Sequence, residues 1–94
     1  MVTLRMQHAV QDFASWRTLF DADPLDRKGS GVTAYRVMRP VDDPGLVLID
    51  LDFSSRDEAD QFWGRLQELW HGPAASTIQD VQAGVLDFVE SADL

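Results

Sequence analysis

The stretch LVLIDLDF, residues 46–53, decides the fold. Its two alternating sets differ sharply. Val47, Ile49, Leu51 and Phe53 are all apolar, whereas Leu46, Leu48, Asp50 and Asp52 mix leucine with carboxylate. Period two over eight residues reads as a β-strand, and its all-apolar set is expected to face helices. Immediately upstream, PVDDPG (40–45) has turn composition, and VTAYRVMR (32–39) reads as another strand, so the two make a hairpin.

Farther upstream, VTLRMQHAV (2–10) alternates Val2, Leu4, Met6, His8 and Val10 against Thr3, Arg5, Gln7 and Ala9. Asp12 is the expected N-cap of a helix carrying Phe13, Trp16, Leu19 and Phe20 at helical spacing. Pro24 ends or bends that helix, and DRKGSG (26–31) is a loop or a short extra turn. Downstream, Ser55 and Glu58 have capping-box spacing ahead of an apolar stripe of Ala59, Phe62, Trp63, Leu66, Leu69 and Trp70. His71-Gly72-Pro73 is expected to stop this second helix. Residues 74–80 have no firm reading, and VQAGVLDFV (81–89) is expected to be the last strand.

The order βαββαβ implies an α+β, ferredoxin-like domain: a four-stranded antiparallel sheet, both helices on one face, strands one and three central. One domain is expected over residues 1–90, with a loose tail at 91–94. A chain of 94 residues buries only about two-thirds of its unfolded surface, yet 45% of this one is hydrophobic. The helix-free face is expected to carry Ala9, Val32, Ala34, Met38, Leu46, Leu48, Val81, Ala83, Val85 and Val89. Ten apolar residues of about seventeen are too many for a wetted sheet face. Covering ~500 Å² of such surface contributes on the order of 12 kcal/mol before association costs. A homodimer, sheet against sheet, is therefore expected.

Composition removes several function classes. Cysteine is absent, which excludes disulfides and thiolate chemistry. The opening MVTLRMQHAVQDF has no signal-type apolar run, and no segment approaches a membrane span, so a cytoplasmic location is the default. Eight basic residues against sixteen acidic ones, net charge −8, argue against nucleic acid and anionic membrane as partners. A ferredoxin-like RNA-binding module would need exposed aromatics and a basic surround on the free sheet face, where strand three offers Asp50 and Asp52.

The candidate functional residues fall into three groups. His8 is a candidate acid/base, with Asp12 four residues on as its orienting partner; the alternative is a half-buried histidine hydrogen-bonded to the helix entrance. His71, at a helix C-terminus, is expected to meet terminal carbonyls rather than a substrate. Arg5 and Arg36 share the helix-free face with Gln7, Asp50, Asp52 and Asp87; the charges pair across strands, Arg5 or Arg36 with Asp50 or Asp52, line a polar pocket inside the dimer, or stand in solvent near strand ends. Trp16, Phe20, Tyr35, Phe62, Trp63 and Trp70 are mostly core, some of them walls of a cavity between helices and sheet for an aromatic or polycyclic ligand. The two histidines have no metal-ligand spacing, the Asp-rich stretches lack a Ca²⁺-loop pattern, and there is no Gly-rich phosphate loop or nucleophile elbow. No metal and no cofactor are expected.

Several runs resemble the dimeric α/β-barrel superfamily. They are HAVQDFASWRTLFD (8–21), the Tyr-Arg and Asp-Pro-Gly features within GVTAYRVMRPVDDPGLVLIDLDF (31–53), and SSRDEADQFW (54–63). The resemblance implies a ferredoxin-like fold and a homodimer whose sheets form a barrel. That superfamily includes antibiotic-biosynthesis monooxygenases, haem-degrading enzymes, polyketide cyclases, muconolactone isomerases and members without known activity. His8, Asp12 and Trp16 match its recurring motif. The haem-degrading type uses a helix-borne His with Asn and Trp, a set without a counterpart here, so haem is not expected. The leading functional reading is binding of a small, largely apolar molecule. The alternative is a cofactor-independent monooxygenase, cyclase or isomerase acting on an aromatic or polyketide-like substrate, with His8 as acid/base and Arg5 or Arg36 as oxyanion stabiliser.

Overall fold

The computed structural model describes residues 1–70 and 78–94, and of residues 78–80 the backbone only. The elements are β1 (Val2–Val10), α1 (Phe13–Ala22), β2 (Val32–Met38), β3 (Leu46–Phe53), α2 (Arg56–Trp70) and β4 (Ile78–Asp87). The sheet is antiparallel in the order β2-β3-β1-β4, so β1 and β3 are central, the expected ferredoxin-like α+β arrangement. The expected stop signal at 71–73 and the role given to His71 lie outside the described residues. No helix among the described residues is long and apolar enough to cross a membrane.

Local chemistry places both helices. The Asp12 carboxylate accepts from the Ala14 N–H (3.1 Å) and the Ser15 hydroxyl (2.7 Å), which caps α1. Asp23 closes α1 in the left-handed region at φ 52°, its N–H donating to the Phe20 carbonyl. The Ser55 hydroxyl accepts from the Glu58 N–H and donates to its carboxylate, starting α2. Both helices then bury their stripes on one face of the sheet: Trp16 from α1 and Ala59 and Phe62 from α2 join Val2, Leu4, Met6, Val47, Ile49, Leu51 and Phe53 in one core.

The register corrects the expected sheet faces. Leu4 pairs with Val85 and Met6 with Ala83, so β4 turns these two residues toward the helices and presents Gln82, Gly84 and Leu86 on the far side. VQAGVLDFV has apolar residues at both phases of its alternation, so pattern alone could not orient it. Val89 lies beyond the strand and is exposed. Val32 is likewise buried against the helices, because the β2–β3 pairing shifts between Val32 and Ala34 and flips the residue before the bulge. The far face keeps Ala9, Ala34, Met38, Leu46, Leu48 and Leu86 as its apolar members. It is more mixed than the sequence count implied.

At the centre of that far face, Asp50 and Asp52 are buried. Arg5 grips Asp50 with Nε and Nη2, both at 2.8 Å. Arg36 grips Asp52 at 3.1 and 2.9 Å and stands 3.6 Å from Asp50. Thr3 adds a hydroxyl to Asp52 at 2.7 Å. Arg5 and Asp50 are direct partners on β1 and β3, as are Arg36 and Asp50 on β2 and β3. The charges therefore pair across strands and mark the register.

Candidate functional site

Between the helices and the sheet lies a cavity of about 220 Å³. Its floor is Met6, His8, Ile49 and Leu51 from the central strands. Trp16 and Phe20 of α1 and Phe62, Leu66, Leu69 and Trp70 of α2 supply the walls. Ala22 at the end of α1 and Asp23, Pro24, Leu25 and Arg27 just after it form the mouth. The α1 wall follows from helical spacing: Phe13, Trp16 and Phe20 stack successively, with centroids 5.5 and 5.1 Å apart. The lining is almost entirely apolar, with three polar side chains, His8, Asp23 and Arg27.

Two of the three satisfy each other. The Arg27 guanidinium lies 3.9 Å from the centre of the Phe20 ring, donates to the Phe20 carbonyl at 2.7 Å and stands 3.5 Å from Asp23. The Arg27 N–H in turn donates to Asp23 at 2.9 Å. His8 is different. It is 0% exposed, and neither Nδ1 nor Nε2 has a hydrogen-bond partner among the described residues. Its neighbours are ring faces and edges, Trp16 at 6.0 Å and Trp70 at 5.7 Å. Burial lowers its pKa to about 4, so the imidazole is neutral at pH 7. The β1–β4 register shifts opposite His8: two steps on β1, Gln7 to Ala9, meet three on β4, Gln82 to Gln79, so the extra residue lies on β4 and His8 keeps the alternation of its own strand.

The expected site residues divide. His8, Trp16, Phe20 and Phe62 come together in the cavity. Tyr35 is 46% exposed and meets Phe20 edge-on from outside the lining. Trp63 packs against Trp70 and is not part of the wall. Arg5 and Arg36 occupy the opposite face of the sheet, held by Asp50 and Asp52, so they cannot act with His8 in one cavity. Asp12 is committed to Ala14 and Ser15 at the surface and does not orient His8; nor does the helix entrance, since both ring nitrogens lack a partner. The sequence reading did not single out the mouth, Pro24, Leu25 and Arg27. A loop that folds back over its own helix leaves no periodic signal.

Haem does not fit. The space is smaller than a tetrapyrrole, and the helical residues facing it are aromatic and aliphatic, with no histidine among those described. No group of three or more His, Cys, Asp or Glu able to hold a metal ion occurs among the described residues. A wider depression bordered by Lys28–Gly31, Glu58, Gln61, Arg65 and Glu68 is open to solvent and mixed in charge. None of its polar atoms is both buried and unpartnered.

By sequence, no family model and no curated protein matches the chain. By structure, it is similar to a protein from Deinococcus radiodurans provisionally assigned as an antibiotic biosynthesis monooxygenase. That match has a TM-score of 0.76 at 16% identity and covers 100% of this chain and 98% of the other. It is also similar to SnoaB, a cofactor-independent oxygenase from Streptomyces nogalater, with TM-score 0.77, 14% identity, and 96% and 94% of the two chains covered. A third similar structure is a dimeric ferredoxin-like protein from an uncultured marine organism, with TM-score 0.67, 10% identity, and 97% of each chain covered. The chain thus has the ferredoxin-like fold seen in antibiotic-biosynthesis-monooxygenase-type proteins.

Proposed function

We propose that this protein binds a small, largely apolar molecule in the cavity between its helices and its sheet, and that it does so as a homodimer. One observation carries the binding reading: an aromatic-walled space of about 220 Å³ that the core's own side chains leave unfilled, although protein interiors are otherwise close-packed. The dimer reading draws on Met38, Leu46, Leu48 and Leu86 around the Arg–Asp centre of the far face. It draws also on the ferredoxin-like neighbour described as dimeric. A second sheet laid there would cover apolar surface and meet charges already neutralised within each copy.

The test is uptake of a neutral, environment-sensitive naphthalene dye by the wild type and by Leu66→Trp, which fills the cavity from α2. The wild type should bind with a blue-shifted emission, and the variant should lose at least ten-fold in affinity while keeping its circular dichroism. Equal uptake by both would place the dye elsewhere and sink the reading. Light scattering at micromolar concentration checks the dimer, and a monomer mass would refute it.

A second reading, a cofactor-independent oxygenase acting on an aromatic substrate, is supported by the neutral, unpartnered His8, the state a general base requires. Oxygen uptake with quinol-type substrates that disappears in His8→Ala would favour it. No turnover across the panel would leave binding alone.

A further inference from the structure

We infer that the cavity is specific for an uncharged compound of one or two fused rings bearing a single hydroxyl at its buried end, hydrogen-bonded by a ring nitrogen of His8. This rests on the proposed binding reading and names the ligand class for the same site.

Three observations carry it. First, His8 is fully buried with both ring nitrogens unpartnered, although buried polar groups are otherwise almost always hydrogen-bonded. The period-two alternation of β1, which turns Leu4, Met6 and His8 to the helices, places it on the cavity floor. Leaving it there weakens the free protein, and a ligand hydroxyl relieves part of that penalty by meeting one ring nitrogen, as donor or as acceptor.

Second, among the described residues, the depth of the cavity holds no charged side chain. Asp23 and Arg27 stand at the mouth and are tied to each other and to the Phe20 carbonyl. A carboxylate or sulfonate at the floor would find no cation, and a ligand with several polar groups would leave all but one unpaired. Third, a space of about 220 Å³ lies below the usual range for drug-sized ligands. That suits a bicyclic aromatic, whereas a four-ring skeleton or a tetrapyrrole is too large. The stacked Trp16 and Phe20 rings offer a flat wall to such a skeleton.

The experiment compares naphthalene, naphthol and naphthoate on the intact protein at pH 7, by NMR titration of backbone amides and of the imidazole nitrogens. Naphthol should bind at least ten-fold more tightly than naphthalene, with a shift of one His8 nitrogen, and naphthoate should not bind at millimolar concentration. In His8→Leu the ten-fold preference should vanish while naphthalene affinity stays within about three-fold, with a thermal melt confirming the fold. Equal affinities for naphthalene and naphthol in the wild type, or a preference surviving in His8→Leu, would overturn the inference and leave the binding reading standing. Uptake of none of the three would overturn both.

Discussion

The two faces of this sheet each bury ionisable groups, and they treat them in opposite ways. On the far face, Asp50 and Asp52 are surrounded by donors from Arg5, Arg36 and Thr3, and every buried carboxylate oxygen has a partner. On the helix face, His8 is buried with none among the described residues. A structural polar cluster closes on itself, because an unpaired buried group costs more than the pair contributes. A cluster that stays open carries a cost to stability, and such costs concentrate at functional sites. The contrast separates the register-fixing face from the candidate binding face without reference to any relative.

Acid should break the comparison most visibly. Between pH 6.5 and about 4 the unfolded chain holds a proton on His8 that the folded chain refuses, so stability falls as pH drops through that window. The loss should total about 3 kcal/mol, read as a pH-dependent urea midpoint, and His8→Leu should flatten it. The Asp50 and Asp52 carboxylates act with the same sign, stability falling with pH, but in a lower window. Hydrogen bonds from Arg5 and Arg36 hold their pKa values below the ordinary 3.8, so their stabilisation is intact above that value and is lost only below it. The two faces should therefore titrate in separate windows, and a single transition shared by wild type and His8→Leu would contradict the contrast.

Next in size is Asp50→Asn, which leaves Arg5 without its bidentate acceptor. Urea denaturation should report a loss of about 2 kcal/mol, while dye affinity stays unchanged because the cavity is across the sheet. A fall in affinity at constant stability would instead move the far face into the binding site. Smallest is Thr3→Val. Asp52 keeps both contacts from Arg36, so the loss should be about 1 kcal/mol by the same measurement.

Much of this protein was already legible along the chain. Period-two alternation located β1 and β3, capping chemistry at Asp12 and Ser55 started both helices, and the order of elements implied the sheet. The number of aromatics also suggested a cavity wall, which Trp16 and Phe20 help to form. These are local signals, and local propensity and periodicity speak through neighbouring residues. The tertiary structure decided the rest. Which way β4 faces depended on its register against β1, because both phases of its sequence are partly apolar. Val32 moved to the core through a bulge that no composition announces. Arg5 and Arg36 were separated from His8 by the sheet itself, and Asp12 was taken by its own helix. Above all, the solitude of His8 is a property of everything that packs around it. A sequence names the groups a histidine could meet, and only close packing in three dimensions determines that it meets none.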